Sequence, residues 1–487
     1  MILIIPLLII GCEAEEEPRA ATLIDKDSNN INLNEINSYD IEVDLDNENK
    51  SYRGKQITTY INKTDTTLGE LYFHLYPNAF KSYEDAPILF SKENYSASDY
   101  IGGHIDIDTI SVNNIELNHS IKGEDDTILH IKLKEPLLKG QEIKVYMEYE
   151  VKLPTTKDRF GYGDRTMNLG NWYPIACVYD EDGWNLDPYY KIGDPFYSDI
   201  ANYKVSISVP KNMIVASSGN IVSEEIKDKK KTYEIEGELI RDFAWVASED
   251  FAMAQKEVDG TLVKLYYLDE NPSMMKKSLE IGENSLKVFN KLFGQYPYGA
   301  YSIVMTEFPT GMEYPGIVFI SEDYFREELS SRLEQVIVHE TAHQWWYGLV
   351  GNDQIKEAWL DESLASYSES IYYKEIYGEE IGKQYFDQNI KIGYDISKSY
   401  LKGEGNIVNK PLDEFKDWND YSILVYSKGA MFIDAIKEEF GEKVLYKILG
   451  EYFKEYKYYN ANTEDFIEVC EDVTKKDFTD FVNEWLY

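Results

Sequence analysis

Residues 336–346 read VIVHETAHQWW, and the second half of the chain is best understood outward from them. No Pro or Gly interrupts the run until Gly348, and Val336 and Ile337 supply an apolar face, so a helix is expected. On a helix, His339 and His343 stand four apart on one face, where two imidazoles can reach a single metal ion, and Glu340 projects beside them. No other histidine occurs after residue 130. His74, His104, His119 and His130 lie upstream without ligand spacing and read as structural. Two histidines on a helix can also be ordinary core residues, so a further ligand has to be found.

A catalytic zinc takes three protein ligands and keeps its fourth position for water. After the first helix GLVGNDQ (348–354) breaks the pattern, and WLDESLASYSESIYY (359–373) resumes helical spacing. Glu362 then falls early in a second helix, nineteen residues beyond His343. An antiparallel helix pair would return its carboxylate to the metal. Glu357, Asp361 and Glu369 compete on spacing alone. Glu369, two turns beyond Glu362 on the same face, is placed to support a ligand from behind.

Further out, the period changes. From about residue 38 to 250 it is two: Ile41, Val43 and Leu45, then Leu129, Ile131 and Leu133, then Ile143 to Val151, then Tyr203 to Val209. These are half-buried strands of a mainly antiparallel β domain. Past about 270, Met275, Leu279, Leu286, Phe289 and Phe293 step at helical intervals. Two strand-like runs follow, Tyr301 to Phe308 and Ile317 to Ser321, and the rest reads helical to Tyr487. The expected architecture is multidomain, with a β domain over 38–250 and a mainly α domain carrying a small sheet over 251–487. Asp44, Asp46 and Glu48 lack the glycine of a calcium loop and read as a hairpin turn. Gly161 and Gly163 read as turn glycines.

The chain starts MILIIPLLIIG before Cys12, an apolar run too short to span a bilayer. It resembles a bacterial lipoprotein signal over 1–11, although no Lys or Arg precedes the run. The expectation is acylation of Cys12, a flexible tether over 12–37, and an extracytoplasmic protein lipid-anchored in the membrane. Cys177 and Cys470 stand alone and signal neither a disulfide framework nor a thiolate cage. The 487 residues carry 49 Lys plus Arg against 88 Asp plus Glu, a net charge of −39, which argues against nucleic acid as a partner. No obligate protein partner is signalled.

HETAH, eighteen intervening residues and a Glu inside WLDES together resemble the gluzincin zinc aminopeptidases, the family of aminopeptidase N and leukotriene hydrolase. TGMEYPGIVFIS (310–321) is similar to the family's Gly-x-Met-Glu-Asn segment, and VYSKGAMF (425–432) to its Tyr-x-Lys-Gly segment. The likeness runs over about 38–487 and implies a saddle-like β domain before a thermolysin-like catalytic domain. It implies one zinc held by His339, His343 and Glu362, Glu340 as general base, and Tyr426 as donor to the oxyanion. It further implies a substrate site at Gly311, Met312 and Glu313, with Glu313 binding the free α-ammonium of peptide substrates. Thr310, Tyr314, Asp361 and Ser363 depart from the family pattern, and no glutamine loop near the substrate amine is evident in the first domain. The family's C-terminal helical domain is missing from the sequence, which implies an open cleft. The rival readings are a thermolysin-type endopeptidase, which would not need Glu313, a catalytically silent binding lipoprotein, and an epoxide hydrolase sharing the zinc site.

Overall fold

The computed structural model describes residues 22–88, 96–397 and 406–487. Cys12, the apolar run before it and the first part of the expected tether lie outside them. From Thr22 to Ile36 the chain is not a free tether: Leu23 pairs with Tyr298, Ile24 N–H donates to the Pro297 carbonyl at 2.7 Å, and Lys457 pairs with Asp25 at 3.2 Å. Its polar composition concealed this docking, because only Thr22, Leu23 and Ile36 are buried, with Ile31 and Leu33 partly buried against the core.

The first domain is built on an eight-stranded sheet. Its centre is Asn37–Asp46, paired antiparallel with Ser51–Ile61 and parallel with Ala201–Pro210. Alternation produces this layer: Tyr39, Ile41, Val43 and Leu45 are buried while Asp40, Glu42, Asp44 and Asp46 face out. Asp46 accepts from the backbone N–H groups of Glu48 and Asn49, so the acidic alternation there ends in a hairpin turn. Two four-stranded sheets lie against the large one, and Trp172, Tyr173, Tyr203, Phe243 and Trp245 fill the space with edge-on ring contacts.

Sheet membership changes between Ser248 and Ala252. Ala252–Val258 and Thr261–Tyr267 join Ala300–Thr306, Ile317–Ser321 and the two-residue edge strand Gly311–Met312 in a five-stranded sheet. Helix α1 (Pro272–Leu292) covers this sheet; the Asn271 side chain caps it by accepting from Met274 N–H. Helix α2 (Ser330–Ala342) carries HETA, with His343 as its C-cap, and helix α3 (Trp359–Tyr377) packs on it. Helices continue to Trp485. Cys177 and Cys470 are buried free thiols. No helix among the described residues is long and apolar enough to cross a membrane.

Candidate active site

Helices α2 and α3 run antiparallel: Tyr372 donates to Glu334, while Trp346, just past the end of α2, donates to Ser368. The pairing sets both histidines against the first turn of α3. His339 Nε2 and His343 Nε2 lie 3.1 Å apart, and each lies 3.3 Å from Glu362 Oε2. Three donor atoms therefore converge on one point. The other ring nitrogens are fixed by the protein, His339 Nδ1 by Glu369 Oε1 at 2.7 Å and His343 Nδ1 by the Trp346 carbonyl at 3.0 Å. Such partners turn the Nε2 atoms toward a metal and set their basicity. Glu369 is itself held by Gln335 and Tyr385.

Electrostatics at this point are those of a cation site. Burial opposes charge on His343, but the Glu313 and Glu362 carboxylates outweigh it and push the imidazole up to about 10. His339 is raised likewise, against its burial, by Glu362 and Glu369. Burial would raise Glu362, yet bonds from the two imidazoles hold it well below the carboxylate range. Protons on the rings occupy the place of a cation, and a metal would displace them.

Glu340 lies beside the triad with 5% of its surface exposed, and its Oε2 has no hydrogen-bond partner among the described residues. Burial pushes its carboxyl up to about 8. Its neighbour across the cleft is Gly311, where a Cβ would collide with Glu340 Oε1 and press on Val336 at 2.7 Å. Glycine lets the edge strand lie against α2. Tyr426, on a π-helical stretch Ser422–Lys428, donates its hydroxyl to Glu362 Oε1 and stacks on His339 with centroids 5.8 Å apart.

Glu313 is 4% exposed, lines the cleft and accepts from Gln354 Nε2 at 3.3 Å. Gln354 also donates to Asp361 at 2.5 Å, so Asp361 serves this network; its carboxyl is pushed up to about 7, mainly by burial. Glu357 is engaged elsewhere, accepting from Thr463 N–H. Met312 pairs with Phe319 and turns its side chain into the core, so strand alternation leaves Gly311 and Glu313 facing the cleft. Tyr314, in the position of the family's Asn, inserts into the first domain and donates to Asn171 at 2.8 Å. Gly170 makes room, since a Cβ there would strike the Tyr314 hydroxyl.

The cleft encloses about 420 Å³. Some of its walls escaped sequence reading: Arg159 and Asp194 from the first domain, and Asn389 and Trp418 from the helical half. Arg159 and Asp194 form a buried pair at 2.5 Å between segments 35 residues apart, a contact that neither period nor motif encodes.

Two imidazoles and a carboxylate at one point, with a second carboxylate beside them, make the donor set of a mononuclear zinc hydrolase. The model of the peptidase family M1 domain matches residues 277–485. The chain is 25% identical over 305 residues to Aminopeptidase 2, mitochondrial, of Saccharomyces cerevisiae, covering 60% of this chain and 30% of that protein. It is 27% identical over 305 residues to Aminopeptidase M1-D of Oryza sativa subsp. japonica, covering 58% and 34%. The chain thus spans about a third of the length of these curated relatives. The crystal structure of the M1 zinc metallopeptidase from Deinococcus radiodurans superposes with a TM-score of 0.64 at 15% identity, covering 93% of each chain. A mutant form of it bound to a Tyr-ser-ala substrate superposes at 0.63 and 14% identity, covering 93% of this chain and 94% of that one.

Proposed function

We propose that the chain is a zinc aminopeptidase that hydrolyses the first peptide bond of peptides with a free N-terminus. The observation that carries this reading is the convergence of His339, His343 and Glu362 beside Glu340 and Glu313, two carboxylates in one cleft with separate uses. His339 Nε2, His343 Nε2 and Glu362 Oε2 fit one zinc per chain in donor type and spacing. Zinc held there supplies a Lewis acid and lowers the pKa of a bound water from about 15.7 to about 7.

Everything else is done by side chains of the chain. Glu340, whose Oε2 has no hydrogen-bond partner among the described residues, takes the proton of the attacking water and delivers it to the departing amine. Tyr426 offers its hydroxyl to the oxyanion as the carbonyl becomes tetrahedral. The edge strand at Gly311–Met312 holds the substrate backbone as an added strand. Glu313 pairs with the α-ammonium and so fixes which bond reaches Glu340. In the cell, Cys12 is acylated and the enzyme acts outside the cytoplasm, which mass spectrometry of the mature N-terminus tests.

Zinc-loaded protein is assayed on a free peptide and on its N-acetylated form, with Glu340→Gln as the metal-retaining inactive reference. Strong preference for the free peptide is expected, and Glu313→Ala abolishes that preference. Equal cleavage of the two forms by the wild type would replace this reading with the endopeptidase.

A further inference from the structure

Behind His339 the helical half continues into an element that no motif marks. SESIYYKEIYGEEIGKQYF (368–386) leaves α3 at Gly378, whose φ of +97° ends that helix, and returns as α4 (Glu379–Phe386). The return is close. A Cβ on Gly382 would lie 2.4 Å from Lys374 Cβ and 2.7 Å from its Cα, so glycine is what lets α4 press this near to α3. One turn further on, Tyr385 meets both Glu369 and Tyr373, which share a face of α3 because they are four apart. Its ring stacks on Tyr373 with centroids 4.0 Å apart and planes 13° from parallel, and its hydroxyl donates to Glu369 Oε2.

The bond gains its weight from the place of Glu369. That residue is 6% exposed, and its partners among the described residues are His339 Nδ1 at 2.7 Å, Gln335 Nε2 at 3.2 Å and Tyr385, with no lysine or arginine in ion-pair contact. Burial and the carboxylate hold the Tyr385 phenol well above its ordinary range, so the hydroxyl stays protonated and donates. Without it a buried anion is one donor short. The carboxylate then turns toward another donor or admits water, and either change frees His339 from the orientation that aims its Nε2 at the metal point. A π-helical stretch, Asp387–Lys391, follows directly, and its Asn389, on the cleft wall, donates to the Tyr385 carbonyl at 3.0 Å. The segment that backs the metal point is therefore continuous with a wall of the cleft.

We propose that Tyr385 is a positioning residue for the zinc: through Glu369 it holds His339 in its ligating orientation, so retention of the metal depends on α4 although α4 supplies no ligand. The inference rests on the zinc site proposed above. The competing role for Tyr385 is to stabilise the contact of α4 with α3 and nothing more.

The test strips the full chain of metal and returns zinc against a competing chelator, with melting of the metal-free form followed beside it. Tyr385→Phe keeps the ring on Tyr373, so the metal-free melting temperature should stay near that of the wild type while zinc affinity falls roughly ten- to hundredfold. Tyr377→Phe is the matched control, since Tyr377 donates at 2.6 Å to Glu334, a carboxylate with no bond to either histidine, and its zinc affinity should equal that of the wild type. Acting through Glu369 also predicts coupling: Glu369→Ala combined with Tyr385→Phe should bind zinc no more weakly than Glu369→Ala alone. Wild-type affinity in Tyr385→Phe, or losses that add in the double variant, would overturn the assignment and leave Tyr385 a packing residue. A wild type that takes up no zinc would instead overturn the zinc site itself, a result distinct from either.

Discussion

At the scale of single residues, the two histidines face opposite demands. Without metal, His343 is pushed up to about 10 by its carboxylate neighbours, so the imidazolium stabilises the metal-free fold. That contribution is fully present below the ordinary value of 6.5 and is lost as pH rises through about 10. Zinc requires the bare imidazoles, so it must expel protons, and its affinity falls as the solution becomes more acidic. Chelator competition is expected to give a weaker zinc complex at about pH 6 than at about pH 8; an affinity independent of pH would mean that the rings are not the ligands. Tyr426 makes a different kind of contribution. Its hydroxyl is bonded to Glu362, and its ring is stacked on His339, so Tyr426→Phe keeps the ring packing and removes only the donor. The expected result is normal zinc content with kcat lowered roughly a hundred- to a thousandfold. A change confined to KM would assign Tyr426 to binding instead.

At the scale of elements, the site is the meeting of one helix pair and one edge strand. The helix pair was legible: VIVHETAHQWW and WLDESLASYSESIYY carry uninterrupted helical spacing, and the nineteen-residue interval fits an antiparallel return. The supporting position of Glu369 followed from the same periodicity, and the structure gives it a 2.7 Å bond to His339. The edge strand was not legible as a strand, because two residues cannot display a period. Neither were Ala252–Val258 and Thr261–Tyr267 assigned to the second domain's sheet, since strands of either domain alternate alike. Gly311 is where strand and helix come closest, and its side of the strand has no room for a Cβ beside Glu340 and Val336. Gly311→Ala therefore moves either the strand or Glu340. Metal is expected to stay, while kcat/KM falls at least roughly tenfold, the order reached by small misplacement of reacting groups. Unchanged kcat/KM would show that the strand can shift outward without disturbing Glu340.

At the scale of the whole molecule, both halves build the cleft, and the sequence hid how they are joined. Tyr314 looked like a departure from the family's Asn; in the fold its hydroxyl reaches Asn171, which donates to Asp242, so the segment bearing Glu313 is fastened to the β domain. Contacts of this kind join residues more than a hundred positions apart and follow from no local pattern. Arg241 is the most demanding of them. It is 1% exposed and donates to the carbonyls of Ser198 in its own domain and of Tyr347 and Tyr459 in the other, at 2.6, 2.9 and 3.1 Å. Gly351 leaves space for the guanidinium, which a Cβ would strike. Replacing the side chain with an apolar one of similar length takes the donor from the Ser198 and Tyr347 carbonyls, at about 1–3 kcal/mol for each, while the Tyr459 carbonyl keeps the Gly351 N–H at 2.9 Å. Arg241→Met is accordingly expected to cost about 2 kcal/mol or more and to lower the melting temperature by roughly 2 °C or more. The loss should extend to activity, because Tyr347 follows the proposed metal ligand His343 by four residues. Arg53→Met is the matched comparison. Arg53 pairs with Glu150 at 3.4 Å with 81% of its side chain exposed, and solvent screens that pair to nearly nothing. Thermal scans on zinc-loaded protein decide the matter: a large shift for Arg241→Met beside a negligible one for Arg53→Met is expected. Equal small shifts would mean that the two halves are held by their apolar contact alone, with the buried guanidinium replaceable by a packed side chain.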